Sequence, residues 1–258
     1  RLVKLENGSG TVAEYEYDGL NRRTTKTTAS ETRHAYFSDR WQVLEERVDS
    51  STDAERQFLW GERYVDDLVL RDRDTDGNGT LDERLYALSD ALFNVVALTD
   101  DTGGVKERFA YQPYGLSQAL DPDFDTYSGT NYEWEYRFTG RELDLESGLQ
   151  INRNRYLHLE LGRWLTKDPM EYKGSEWNLY EYVGGRSVDQ VDPTGTITCT
   201  LANPPDIIFG AETTVAYAGG AGAGVSTNPS VIGAAPVKTL QCVRKRIVIV
   251  KYICTDII

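Results

Sequence analysis

Thiols, imidazoles and thioethers are scarce in this sequence. Its 258 residues include three cysteines, two histidines and one methionine. His34 and His158 stand alone, with no cysteine at ligand spacing, which argues against zinc. Neither lies in a nucleophile motif, so a Ser-His-Asp site has no support. "GAGAG" (Gly220–Gly224) is followed by neither Lys-Ser/Thr nor a helix signal, which argues against phosphate binding. All three cysteines (Cys199, Cys242, Cys254) follow residue 196, and an odd number precludes complete internal pairing. No segment carries a sustained 3.6-residue apolar period with caps. Only Glu142–Glu146, ending at Gly148, reads as one helical turn. The chain begins at Arg1 without an apolar leader and is read as a piece of a longer polypeptide.

Positive charge is also short. The net charge is −13. Residues 197–258 hold five basic residues (Lys238, Arg244, Lys245, Arg246, Lys251) and three acids, which leaves the first 196 residues at −15. Such a body repels nucleic acid. The change of sign predicts a boundary near residue 196, between a domain over 1–196 and a variable segment over 197–258.

Tyrosine (16) and glycine (23) are plentiful. Tyr17, Tyr36, Tyr64, Tyr86, Tyr111, Tyr136, Tyr156 and Tyr180 recur at steps of 19 to 28 residues, each long enough for a pair of strands and their turns. Two β-rich runs meet at Gly61, with Tyr64, Asp66 and Leu68 expected on one strand face. Asp18-Gly19 and Gly103-Gly104 offer the positive φ that tight turns need. The fold class expected is all-β, built from antiparallel hairpins. The tail differs: Thr213–Val237 carries no charge, but its Gly, Ser, Thr, Asn and Pro content favours a linker over a membrane span. "RIVIVKYICTDII" after it reads as a buried or pairing strand.

"YEYDGLNRR" (Tyr15–Arg23), "LYALSDALFNVVALTDDTGGVKERFAYQPYG" (Leu85–Gly115), "YRFTGRELDLESGLQINRNRYLHLELGRWLTKDP" (Tyr136–Pro169) and "NLYEYVGGRSVDQVDPTG" (Asn178–Gly195) together resemble the RHS/YD-repeat family and its repeat-associated core. The resemblance covers about residues 11–196. It implies an antiparallel strip winding in a spiral into a YD-repeat shell, with a variable C-terminal segment. It also implies a secreted or cell-surface protein whose partners are the rest of its own polypeptide and its own C-terminal piece. In toxin members the core is a self-cleaving aspartic peptidase; other members serve in adhesion.

Two Asp-Pro sites bear on that chemistry. Cleavage of an amide by carboxylates needs two of them in one site, sharing a proton. Asp168 and Asp192 lie 24 residues apart, with turns enough between them to fold back. They match the family's peptidase aspartates, which makes Thr196–Ile197 the bond to be cut. Glu171 stands where the family commonly has Gly, the spacing is about two residues longer, and Thr196 replaces a commoner apolar residue. A pair of plain turns is the competing reading. Arg163 and Lys167 are the basic groups nearest Asp168 in sequence.

"RDRDTDGNGTLDERL" (Arg71–Leu85) is a candidate Ca²⁺ loop, because alternate oxygens around a tight turn suit a hard cation. Counting from Asp72 makes Glu83 the last ligand. Counting from Asp74 places Gly79 at the sharp turn and gives Asp74, Asp76, Asn78, the Thr80 carbonyl and Asp82 or Glu83. A solvated acidic hairpin tip is the alternative. Trp41, Trp60, Trp134, Trp164 and Trp177 are candidates to stack on cell-surface carbohydrate or, more commonly, to form core.

Overall fold

The computed structural model describes residues 1–126, 131–171 and 178–196, with the backbone of four strands beyond them. Among the described residues it is almost entirely antiparallel β-sheet, with short 3-10 turns at Phe138–Gly140 and Val183–Gly185. Eleven strands form one meander in sequence order: β1 (Lys4–Asn7), β2 (Gly10–Tyr17), β3 (Arg23–Thr28), β4 (Thr32–Phe37), β5 (Val43–Val48), β6 (Arg56–Trp60), β7 (Leu68–Arg73), β8 (Glu83–Ser89), β9 (Val95–Thr99), β10 (Val105–Tyr111) and β11 (Ser117–Leu120). A second sheet holds β12 (Glu142–Asp144), β13 (Leu149–Asn152), β14 (Arg155–His158) and β15 (Arg163–Trp164). β16 (Gln190–Val191) pairs with β17 (Thr198–Leu201). The chain divides into one unit of Arg1–Thr200 with Cys254–Ile258 and another of Leu201–Ile253. In the latter, β18 (Ile207–Phe209) pairs with β19 (Val248–Val250). β20 (Tyr252–Thr255) begins in the latter and ends in the former. Thr213–Val237, Cys242 and Trp177 lie outside the described residues. Among the described residues no helix is long and apolar enough to cross a membrane.

One turn is used six times in the large sheet. Asp18, Ser38, Asp90, Asp100, Gln112 and Asp121 each donate their N–H to the carbonyl four residues on and accept from the N–H three residues on. In five of the six, a side-chain oxygen of that first residue also caps N–H groups two and four residues on. The fourth residue takes positive φ: Asn21, Trp41, Phe93, Gly103, Gly115 and Phe124. This is the turn-plus-bulge connection whose twist suits antiparallel strands. The left-handed residue of the β2–β3 hairpin is thus Asn21, not Gly19, because the turn is counted from the capping Asp18. Residues 61–67 are a loop closed by Gly61 N–H to the Asp67 carbonyl (2.7 Å), so Tyr64 and Asp66 are not on a strand with Leu68. The expected helical turn at Glu142–Glu146 is instead β12 and a turn, because Glu142, Leu143 and Asp144 pair with Ile151, Gln150 and Leu149. Gly148 closes that hairpin at φ +68.

One face of the meander is covered by residues 132–144 of the same chain. Trp134 and Tyr136 join Val43, Phe58, Leu68, Leu85 and Val95 in the main core. Phe58 and Trp60 meet the Tyr136 ring edge-on at 5.4 and 5.3 Å. The same face buries cations on β3 and β6, and the covering segment supplies most of their acids. Arg23 pairs with Glu142 and Asp144, Lys26 with Glu135 and Glu146, and Arg56 with Glu46, Glu133 and Glu135. Removing one partner of such a buried pair typically costs about 3–5 kcal/mol, because the other charge is stranded.

The acids in this layer titrate in opposite directions. Burial alone raises Glu135, but Arg56 and Lys26 outweigh it and hold the carboxyl at about 2. Burial, helped by Glu135 and Glu46, pushes Glu142 up to about 7 despite Arg23. Between the ordinary 4.5 and about 7, folded Glu142 keeps a proton that the unfolded chain has lost, so its contribution to stability falls as pH rises through that window. Glu135 contributes the reverse, a rise in stability between about 2 and 4.5. Urea midpoints measured from pH 3 to 8 are expected to fall above roughly pH 5. Glu142→Gln flattens that limb and Glu135→Gln flattens the acid limb; unchanged profiles would refute the assignment.

Candidate active site

β14 sits centrally in the small sheet, paired with β13 and β15. Leu157 and Leu159 point into a core with Phe138, Trp164, Tyr182 and Val183. Strand alternation puts Arg155 in phase with those leucines, and its side chain is only 4% exposed. Its guanidinium stacks over Trp164 at 4.2 Å from the ring centroid.

The two Asp-Pro sites meet at this arginine. Arg155 Nη2 forms an ion pair with Asp168 Oδ2 at 2.9 Å and donates to Asp192 Oδ2 at 3.2 Å. Both carboxylates are buried, so two acids far apart in sequence face one nitrogen inside the protein. The fold places the two carboxylates on one guanidinium, which bridges them. Burial pulls the Arg155 guanidinium below its ordinary value even with Asp168 and Asp192 beside it.

Each aspartate spends its other oxygen on its own turn. Asp168 Oδ1 accepts the Met170 N–H at 2.8 Å. Asp192 Oδ1 accepts the N–H groups of Gly195 (2.8 Å) and Thr196 (3.1 Å). The Asp192–Thr196 turn is then tied to the small sheet. Arg155 Nε donates to the Gly195 carbonyl, Asn152 Nδ2 to the Asp192 carbonyl (2.7 Å), Asn154 to the Thr194 carbonyl and Arg153 to the Pro193 carbonyl. Gly195 holds φ +74, and a Cβ there would lie 2.5 Å from the Asn152 carbonyl oxygen. Thr196 is therefore pinned next to the acid pair, while Ile197 lies outside the described residues. Arg163 and Lys167, the nearest cations by sequence, are both exposed.

Sequence alone does not single out Arg155. The available signal was its place on the inward phase of "RYLHL", where a cation has to find buried acids.

The acidic hairpin tip between β7 and β8 is organised differently from a full ligand cage. Asp72 pairs with Arg84 through two bonds of 2.7 Å, and Glu83 pairs with Arg71 and Arg73. Asp74 caps the N–H groups of Asp76, Gly77, Asn78 and Gly79, and Asp82 binds Thr75. Among the described residues no group of three or more His, Cys, Asp or Glu side chains converges as a metal site. Asp74, Asp76, Asn78, Thr80 and Asp82 keep the all-oxygen donor chemistry that calcium wants; Asp72 and Glu83 are engaged by arginines. Trp134 and Trp164 are fully interior and not available to a sugar, whereas Trp41 and Trp60 line a small cleft with Tyr17, Phe37 and Tyr156.

No protein-family model matches the chain. Salivary gland surface protein 1 of Aedes aegypti is 36% identical over 130 residues, which are 50% of this chain and 3% of that protein. The Tc holotoxin pore of Photorhabdus luminescens superposes with a TM-score of 0.56 at 22% identity, over 75% of this chain and 9% of that one. TcdB2-TccC3 without its hypervariable C-terminal region gives 0.55 at 20% identity, again over 75% and 9%. The chain thus spans a small part of each, and the two solved structures share its fold.

Two outcomes are expected here. Gly195→Ala forces a left-handed alanine against a backbone carbonyl and lowers stability by about 2 kcal/mol or more, a fall of roughly 4–8 °C in Tm. For calcium, our proposal is that the five tip residues bind it: millimolar Ca²⁺ raises Tm, Asp76→Asn removes the rise and Asp72→Asn leaves it. No rise in the wild-type chain would overturn that proposal.

Proposed function

We propose that this chain is the core of an extracellular RHS/YD-repeat protein, closing the end of its β-shell and cutting itself after Thr196. The observation that carries this reading is the meeting of Asp168 Oδ2 and Asp192 Oδ2 on one buried nitrogen, beside the turn that leads into the proposed bond. Water adds to the Thr196 carbonyl carbon, the bond to the Ile197 nitrogen breaks, one carboxylate takes the water proton and the other acid protonates the leaving nitrogen. The fold shared with Tc toxin structures, one of them solved without a hypervariable C-terminal region, supports a variable segment following a constant core.

A second reading is a non-catalytic surface or adhesive module. One observation favours it: the guanidinium stands where a proton shared directly between the acids is expected.

Intact mass after expression separates the two. Self-cleavage gives a species ending at Thr196, abolished by Asp168→Asn and by Asp192→Asn. Asn keeps the side-chain oxygen that caps each turn, so these variants remove charge and leave the turns. Full-length chain in every folded sample removes the peptidase. Because β17 follows the proposed cut and pairs with β16 through Gln190↔Thr200 and Val191↔Cys199, the two pieces are expected to co-elute on native size exclusion and to part in denaturant. Separate elution without denaturant would show that the cut alone frees the segment.

A further inference from the structure

Trp41 occupies a backbone position that suits glycine. It is the left-handed residue of the turn between β4 and β5, at φ +64, and two other turns of this kind place Gly103 and Gly115 there. A bulky side chain in that conformation is strained. Core packing does not offset the strain. The indole joins none of the core clusters and, among the described residues, makes no ring–ring contact. It lines the cleft that it shares with Trp60. Trp60 is a fixed wall there, its Nε1 donating to the Val43 carbonyl at 2.7 Å and its ring edge-on to Tyr136.

The turn between β2 and β3 brings two polar side chains to the same cleft. Asn21 Oδ1 is buried and has no hydrogen-bond partner. Such an acceptor is costly to leave unpaired, and a hydroxyl donor in the cleft relieves that cost. Arg22 lies over the Phe37 ring at 5.4 Å. Its Nε donates to Asp18 at 2.6 Å and its Nη1 to the Ser38 carbonyl at 3.2 Å, which ties the two turns together. Its Nη2 has no protein partner among the described residues. The charged lining of the cleft is four arginines and one acid, Glu142, in an otherwise acidic body.

We propose that this cleft binds an acidic sugar, a pyranose ring that carries a carboxylate. The ring lies against Trp41, Asn21 Oδ1 accepts from a hydroxyl, and Arg22 Nη2 donates to the carboxylate. An aromatic face with a few placed polar groups suits the mixed apolar and hydroxyl surface of a sugar. A planar guanidinium suits the carboxylate. The proposal does not rest on the self-cleavage reading.

The test is a chemical-shift titration of the full chain, read at backbone amides and indole N–H groups. The probes are methyl β-glucuronide and the methyl α-glycoside of N-acetylneuraminic acid. Methyl β-glucoside serves as the neutral ring and N-acetylglutamate as a carboxylate without a sugar. At least one acidic sugar is expected to saturate the chain, shifting Asn21, Arg22 and Trp41 and binding about tenfold or more tighter than either control. Trp41→Gly keeps the turn, because glycine takes positive φ freely, and is expected to weaken binding by about tenfold or more. Asn21→Gly keeps its own turn in the same way and weakens binding of the same sugar. Arg22→Gln removes the preference for the acidic sugar over the glucoside. Unshifted β2–β5 strand amides report that each variant is folded.

No saturable binding of either acidic sugar overturns the site. Equal binding of the glucoside overturns the role of the charge. Equal binding of N-acetylglutamate shows that a carboxylate alone is read and overturns the sugar. Undiminished binding in both folded glycine variants overturns the cleft as the place of binding.

Discussion

Lys26 on β3 and Arg56 on β6 reach the same carboxylate, Glu135, from opposite sides at 3.5 and 2.9 Å. That shared acid belongs to a segment more than a hundred residues downstream of Lys26. The covering strip of 132–144 is held to the meander by this contact and its neighbours, Arg23 to Glu142 and Asp144 and Arg71 to the carbonyls of Tyr132 and Glu133. Without the strip, one face of the sheet would expose cations set among Phe58, Leu85 and Val95. With it, each buried cation has an acid and the aromatic residues between them close a core. The charges therefore fix where the strip lies, and apolar burial supplies the bulk of the stabilisation.

The strip's position is inherited by the small sheet. Glu142 and Asp144 sit on β12, so the ion pairs that anchor the strip also anchor the first strand of the sheet that carries Arg155. Asp66, in the loop before β7, adds a second tie by accepting from Arg141 and Arg153 at 2.7 Å each. Arg153 also holds the Pro193 carbonyl, so one side chain links the loop of the large sheet to the turn beside the acid pair. Placing Asp192 thus depends on a chain of polar contacts that begins on the meander. Each link is a directional bond between buried groups, which suits a site where small errors of position matter.

Much of this was legible in the sequence. Tyrosine spacing and turn residues give an antiparallel hairpin repeat, and the structure is that. The aspartates of the two Asp-Pro sites were readable as a pair, and the fold brings them to one nitrogen. The failures have local causes. Gly19 looked like the left-handed residue because Asp-Gly is a strong hairpin signal, yet capping by Asp18 fixes the count and assigns that conformation to Asn21. Glu142–Glu146 looked helical because its charges and Gly148 imitate a capped turn, but the partner strand Leu149–Asn152 claims its backbone. Tertiary pairing overrides weak local propensity there.

What the sequence determined by itself was everything set by neighbours along the chain: strand alternation, the five-residue turns, the acidic body and the aspartates that begin the two Asp-Pro turns. Turn geometry needs only a few consecutive residues, so local chemistry suffices. Only the tertiary structure decided which cation serves those aspartates. Lys167 adjoins Asp168 in sequence but is exposed, while Arg155 is 13 residues from Asp168 and 37 from Asp192 and is buried between them. The reason is desolvation: once both acids leave water, the partner has to be the charge that the fold carries inward with them, and sequence distance has no bearing on that.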